Sequence, residues 1–295
     1  MKNKIGIVFG GGGGKGAYQI GVWKALDELG VCDQIKGVSG ASVGALNGSL
    51  FYFSNLERAL SAWSGISETS ILTRKDVEKG GRAVKVYRNG IAENGWFSNK
   101  GLKEMITKYV DISAVKKKEI VFYVAVSRVK KPAVFYNYIK KFSEKNILHK
   151  IISAFLINIF KWFTEPCYFK IDHDNVAVVK DIILASAAIP LVFPDIKIKG
   201  ELYVDGGLKD NVPILPLYNA GFRKILIVDL DAEKNISVYK FPGVKFLRLS
   251  LKEESELTSL TDTFDFTAED AKIKINQGYG DCMSISDTVL EFFNE

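Results

Sequence analysis

The sequence predicts an α/β fold, a mostly parallel central sheet flanked by helices, in one domain of 295 residues. Three observations carry that expectation. Short apolar runs alternate with stretches of helical spacing, first at Ile5 to Phe9 and then Ala17 to Leu29. Ile120 to Val126 is β-rich and almost wholly apolar, as a strand covered on both faces must be. Two glycine-bearing turns, Gly10 to Gly16 and Gly40 to Gly44, stand where a strand would hand over to a helix.

Taken in order, Ile5 to Phe9 is the first strand. The helix after the glycines keeps Ile20, Trp23 and Leu26 on one face, and Gly30 closes it. Gln34 to Ser39 is the second strand, and Ala45 to Tyr52 winds into the next helix. Leu56, Leu60 and Trp63 are spaced as a buried helical face. Ser98 or Asn99 is placed to cap a helix from Leu102 to Val110. Ala133 to Tyr138 reads as a short strand after Ile120 to Val126. About 140–167 breaks the α/β rhythm and reads as a helical insertion, apolar on most faces and bordered by lysines. Asn175 to Ala188 is helical, with Pro190 and Pro194 ending it. Leu202 to Val204 is a strand that empties into Asp205-Gly206-Gly207. A helix starts at Asn211-Val212-Pro213 and Gly221 closes it. Lys224 to Asp229 and Val244 to Leu249 are two more strands. The acidic end, about 251–295, is mainly helical, with Gly278 and Gly280 as stops.

The apolar fraction of 47 % suits a chain that buries a real core. Cys32, Cys167 and Cys282 are an odd, widely spaced set, which argues against a disulfide framework or a cysteine-rich zinc site and suits a reducing compartment. The apolar run after Met1 is too short for a signal peptide, and no segment reaches the roughly 18 apolar residues of a membrane span. Between Lys116 and Lys161 eleven Lys or Arg stand against Glu119 and Glu144, while the end of the chain is acidic. That asymmetry predicts peripheral contact with an anionic membrane surface, not with nucleic acid. The expected location is cytoplasmic, peripheral at the inner membrane face; export without a cleaved signal is compatible with the same features. Oligomeric state leaves no sequence signal.

Five consecutive glycines after a strand let backbone N–H groups approach an anion with no Cβ in the way. Three readings compete. A P-loop needs Ser or Thr after its lysine, and Lys15 is followed by Gly16. A dinucleotide fingerprint fits Gly11, Gly13 and Gly16, with Asp33 near the distance of a ribose partner. The third is an oxyanion hole, which calls for a serine at a sharp turn in the next strand–helix unit.

Ser42 stands there, in Gly40-Ala41-Ser42-Val43-Gly44. Strand, Gly-x-Ser-x-Gly and helix make the setting of a nucleophile elbow. The alternative is a small-residue turn at a buried junction. A serine nucleophile needs a base. His149 lies in the basic insertion and His173 in a polar loop, and neither ends a strand. Asp205 follows a strand, and ligands gather at the carboxyl ends of strands in an open sheet. Burial would raise its pKa and make it a better base. Judged alone, Asp-Gly-Gly also reads as a plain turn.

The glycine loop ending Lys15-Gly16, then Gly40 to Gly44, then Asp205-Gly206-Gly207, in that order, resembles the patatin-like phospholipase family. Ala185-Ser186-Ala187-Ala188-Ile189-Pro190, with Phe193-Pro194 beyond it, also resembles a stretch of that family. The resemblance spans about 5–230; no motif covers the insertion or the acidic end. It implies a three-layer sandwich, a Ser42–Asp205 dyad without histidine, and an oxyanion hole from amides of Gly11, Gly12, Gly13 and Gly14. Lys15, Gly16, Gly40, Gly44, Gly206 and Gly207 support the motifs. It further implies calcium-independent hydrolysis of phospholipid or lysophospholipid acyl esters, with no metal and no cofactor. The insertion would then be a cap over the acyl chain or a membrane contact, the alternative being a helix buried in the core. An acyltransferase with the same dyad, or a nucleotide-binding module using the glycine loop, are the other functions to weigh.

Overall fold

The computed structural model describes residues 4–66, 99–112, 119–130, 159–172, 174–190, 192–233, 236–252 and 266–295. Its strands are β1 (Ile5–Phe9), β2 (Ile35–Ala41), β3 (Val121–Val129), β4 (Thr164–Lys170), β5 (Ile196–Ile198), β6 (Glu201–Asp205), β7 (Lys224–Asp229) and β8 (Lys245–Ser250). The α-helices are α1 (Ala17–Glu28), α2 (Val43–Phe53), α3 (Leu56–Ser64), α4 (Lys100–Tyr109), α5 (Val179–Ser186), α6 (Leu215–Asn219), α7 (Ala268–Ser284) and α8 (Ser286–Asn294).

The eight strands form one sheet in the order β5-β6-β3-β2-β1-β7-β8, with β4 also on β3. β3, β2, β1, β7 and β8 pair in parallel throughout. β4 and β6 pair antiparallel with β3, and β5 antiparallel with β6. The sheet is thus mixed, with the expected parallel centre. β1 shows why that centre reads as unbroken apolar sequence. Ile5, Ile7 and Phe9 enter the larger core with α1, α2, α3 and α5. Val8 enters a smaller core with Ile214, Leu217 and Phe222. Both faces are covered, so both alternating sets must be apolar.

β3 is the organising strand. Its residues Val124 and Val126 each pair with β4 on one edge. On the other edge Val124 pairs with Gly40 of β2, while Val126 pairs with Asp205 of β6. β2 runs parallel to β3 and β6 antiparallel, so the two meet head-on. The last rung of β2 is Ala41 with Ala125, and the next residue of β3 carries Asp205.

Some elements differ from expectation. β3 runs three residues past Val126, because Ser127 and Arg128 pair with both β4 and β6. Thr164–Lys170, partly inside the segment read as the insertion, is strand β4; its Pro166 is tolerated on an edge. Ile196–Ile198 forms a hairpin with β6 through Lys199 and Gly200, both at positive φ. The helix expected over Asn175 to Ala188 is a 3-10 turn (Val176–Val178) followed by α5. The helix expected from Asn211 is only Leu215–Asn219. α4 begins at Lys100, and Asn99 holds the N-cap position without a side-chain bond.

Gly278 and Gly280 do not stop a helix: both lie inside the 17-residue α7. A Cβ on Gly278 would sit 2.1 Å from Tyr18 O of α1, and one on Gly21 of α1 would sit 2.0 Å from Ile275 O of α7. The two glycines let the helix backbones touch. Tyr18 Oη donates to Asp281 Oδ2 at 2.9 Å across that contact. The strand expected over Ala133 to Tyr138, the bulk of the insertion, His149 and His173 lie outside the described residues.

Candidate active site

β2 ends at Ala41 and α2 begins at Val43, so one residue makes the turn. That residue, Ser42, has φ 53 and ψ −125, a left-handed conformation that costs a side-chain-bearing residue about 1–3 kcal/mol. Contact with the flanking glycines makes the turn this tight. A Cβ on Gly40 would lie 2.3 Å from Gly44 O, and one on Gly44 would lie 2.1 Å from Phe9 O. The first amides to bond back to Ser42 O are those of Ala45 and Leu46, so Val43 and Gly44 head α2 without an intrahelical acceptor.

Asp205, the last residue of β6, is pinned by its backbone. Its N–H donates to Ala188 O at 2.9 Å, and its carbonyl accepts from Ser127 Oγ at 2.7 Å. Its Oδ1 accepts from Gly207 N at 2.7 Å. Its Oδ2 is buried without a hydrogen-bond partner among the described residues. Burial pushes the carboxyl up from 3.8 to about 7, while the nearby Ser42 hydroxyl and the amides of Gly207 and Leu208 pull it down. Ser42 therefore acts on this carboxyl without an aligned bond to Oδ2.

Ser42 and Asp205 line one cavity of about 250 Å³ with Gly11, Gly12, Gly13, Lys15, Gly207, Asn211, Ile189, Leu230 and Asp231. Ser42 is 7 % exposed and Asp205 6 %. Of the four glycines expected to offer amides, Gly11 donates its own to Asn211 O at 3.0 Å. Gly12, Gly13 and Gly14 remain. The first inward bond of this turn runs from Lys15 N to Gly12 O, so those three N–H groups precede any internal acceptor. Gly13 has φ 59, which only glycine takes without strain. Lys15 is buried at the cavity wall, and Gly16 abuts Val43. Gly206 presses against Ala125 O, where a Cβ would lie 2.1 Å away.

Several residues that no motif singled out hold these parts together. Asn211 Nδ2 donates to Gly11 O at 3.0 Å, closing a two-bond clamp between the loop after Asp205 and the glycine loop. Gln19 Nε2 donates to Gly10 O at 2.7 Å, and Asn47 Nδ2 to Gly16 O at 2.9 Å and Gln19 Oε1 at 2.8 Å. Trp63 Nε1 donates to Asn47 Oδ1 at 3.0 Å. Both ends of the glycine loop thus hang on one buried amide network. The available signal was weak: one Gln and one Asn at helix positions that carry no motif.

Asp33, the expected ribose partner, precedes β2 in a 3-10 turn (Cys32–Gln34). A dinucleotide site places that carboxylate after the second strand, so the fingerprint lacks its partner. Among the described residues no three His, Cys, Asp or Glu side chains gather as metal ligands would. A wider depression of about 380 Å³, beside Arg58, Lys108 and Lys180, contains none of the expected site residues.

A family model described as patatin-like phospholipase matches residues 7–218. The chain is 26 % identical over 234 residues to lysophospholipase NTE1 of Cryptococcus neoformans, covering 79 % of this chain and 12 % of that protein. It is 27 % identical over 240 residues to a patatin-like phospholipase domain-containing protein of Caenorhabditis elegans, covering 81 % of this chain and 14 % of that one. The chain thus spans only a small part of the length of these relatives. It is similar to the crystal structure of VipD from Legionella pneumophila with a TM-score of 0.47 and 14 % identity, over 98 % of this chain and 67 % of that one.

Proposed function

The chain belongs to the patatin-like phospholipase family, and we propose that it hydrolyses acyl esters of phospholipids or lysophospholipids with Ser42 as nucleophile and Asp205 as base. The observation that carries this reading is the head-on meeting of β2 and β6 on β3, with Ser42 and Asp205 on one cavity. Asp205 takes the proton of Ser42 Oγ as that oxygen attacks the ester carbonyl. The carbonyl oxygen becomes negative and is held by amides of Gly12 to Gly14, with the N-terminus of α2 adding to the field. The lipid alcohol leaves with the proton from Asp205. Water, deprotonated by Asp205, then attacks the acyl-serine; the bond to Ser42 Oγ breaks, Asp205 returns the proton to that oxygen, and the fatty acid is released. No step calls for calcium.

Membrane contact belongs to the same proposal. Trp162 is 80 % exposed, beside exposed Lys161. Lys130 Nζ donates to Trp162 O at 3.3 Å and Lys209 Nζ to Lys161 O at 3.1 Å. Lys209 lies four residues after Asp205, directly behind the turn Gly206–Leu208. An aromatic ring among lysines suits the interface of an anionic bilayer. The deciding experiment is labelling with a fluorophosphonate probe, together with lipid product analysis by mass spectrometry. Wild type is expected to label at Ser42 and release fatty acid, and Ser42→Ala to do neither. Undiminished hydrolysis by Ser42→Ala would end the reading.

A further inference from the structure

We propose that Ser186 is a positioning residue that sets the approach of Ser42 to Asp205, an inference that rests on the roles assigned to those two residues above.

Ser186 closes α5 and is fully buried. Its Oγ donates to Ala125 O at 2.6 Å and accepts from Ser42 N at 2.9 Å. Ala125 is the β3 residue opposite Ala41, the last rung before Ser42. The hydroxyl therefore relays the Ser42 amide to β3 one step beyond the end of the ladder. Two residues later, Ala188 O accepts from Asp205 N. One short segment thus holds the backbone of the nucleophile with a side chain and the backbone of the base with a carbonyl. It bridges the gap where β2 and β6 meet and have no ladder between them.

Strain makes this grip necessary. Ser42 sits at φ 53, a conformation that persists only where its surroundings over-determine it. α2 bonds to its carbonyl through Ala45 and Leu46. On the amide side the bond is to Ser186 Oγ. Without it the turn can relax, and the Ser42 hydroxyl moves relative to Oδ2 of Asp205. A shift of about 1 Å between reacting groups costs up to about 100-fold in rate.

Ser186→Ala tests this, with Ser186→Cys as a near-isosteric companion that keeps a weak donor and acceptor. Three quantities are read: the rate of fluorophosphonate labelling at Ser42, kcat and KM for a soluble ester, and the pH dependence of kcat/KM. Ser186→Ala should label about 10- to 100-fold more slowly, with kcat falling and KM little changed; Ser186→Cys should lie between it and wild type. The rising limb should also move to higher pH, because the Ser42 hydroxyl that stabilises the Asp205 carboxylate has withdrawn. Lys15 and Asp231, the other ionisable groups lining the cavity, are untouched by either change. A loss that only tracks the folded fraction, with the limb unmoved, would overturn the proposal. So would wild-type labelling in both variants. If the alanine variant does not fold, the cysteine variant carries the same readings. Failure of the parent reading looks different: wild type itself would then not label at Ser42.

Discussion

At the scale of single residues the site is held in a costly state. Asp205 is a buried carboxylate whose affinity for its proton is raised from 3.8 to about 7. A group whose pKa is raised by folding adds stability below its unfolded value and loses it as pH climbs through the folded value. Ionised Asp205 therefore destabilises the fold above about pH 7, by an upper bound of about 4 kcal/mol. Asp205→Asn should melt higher than wild type at pH 8 to 9, with little difference near pH 4, while losing hydrolysis. Calorimetry at the two pH values checks this, and equal melting at pH 9 would contradict it. On the proposed mechanism, wild-type kcat/KM should rise with pH with a midpoint about 7, since Asp205 would have to be ionised to act as base. Ser42 and Asp205, the residues proposed to react, were legible because each stands at the end of a strand beside glycines. Asn211, Gln19, Asn47 and Ser186 were not legible as supports, because a buried amide or hydroxyl is defined by partners far away in sequence.

At the scale of elements, the contact between α1 and α7 separates two glycines that look alike in sequence. Gly278 faces the backbone of Tyr18, whereas a Cβ on Gly280 meets nothing within 4 Å. Gly278→Ala should lose about 1–3 kcal/mol through overpacking, more than its gain in helix propensity. Gly280→Ala should gain about 0.5–1 kcal/mol. Urea unfolding of the pair distinguishes them, and equal shifts would mean the helices sit apart. Reading both as helix stops failed because a glycine that ends a helix and one that admits a neighbouring helix have the same sequence signature. β4 was missed for a related reason: Thr164–Lys170 adjoins an apolar, lysine-flanked segment, and only its pairing with β3 separates strand from insertion. The strands of the parallel centre were legible because burial on both faces leaves a continuous apolar run.

At the scale of the whole molecule, the proposed function asks how the cavity beside Ser42 and Asp205 would meet a lipid. Among the described residues no helix is long and apolar enough to cross a membrane. The proposed contact is peripheral, through Trp162, Lys130, Lys161 and Lys209. Replacing the three lysines with glutamine should weaken sedimentation with phosphatidylserine vesicles, more at low salt than at high, at about 1 kcal/mol per lysine. Equal binding of wild type to neutral and anionic vesicles would remove that surface from the proposal. The order in which the chain is made adds a consequence of how β2 and β6 meet. Asp205 emerges from the ribosome 163 positions after Ser42, and the strand that β2 and β6 share lies between them in sequence. On the proposed mechanism, a nascent or truncated polypeptide lacking β6 is chemically silent, so lipid is spared until the tertiary structure is complete.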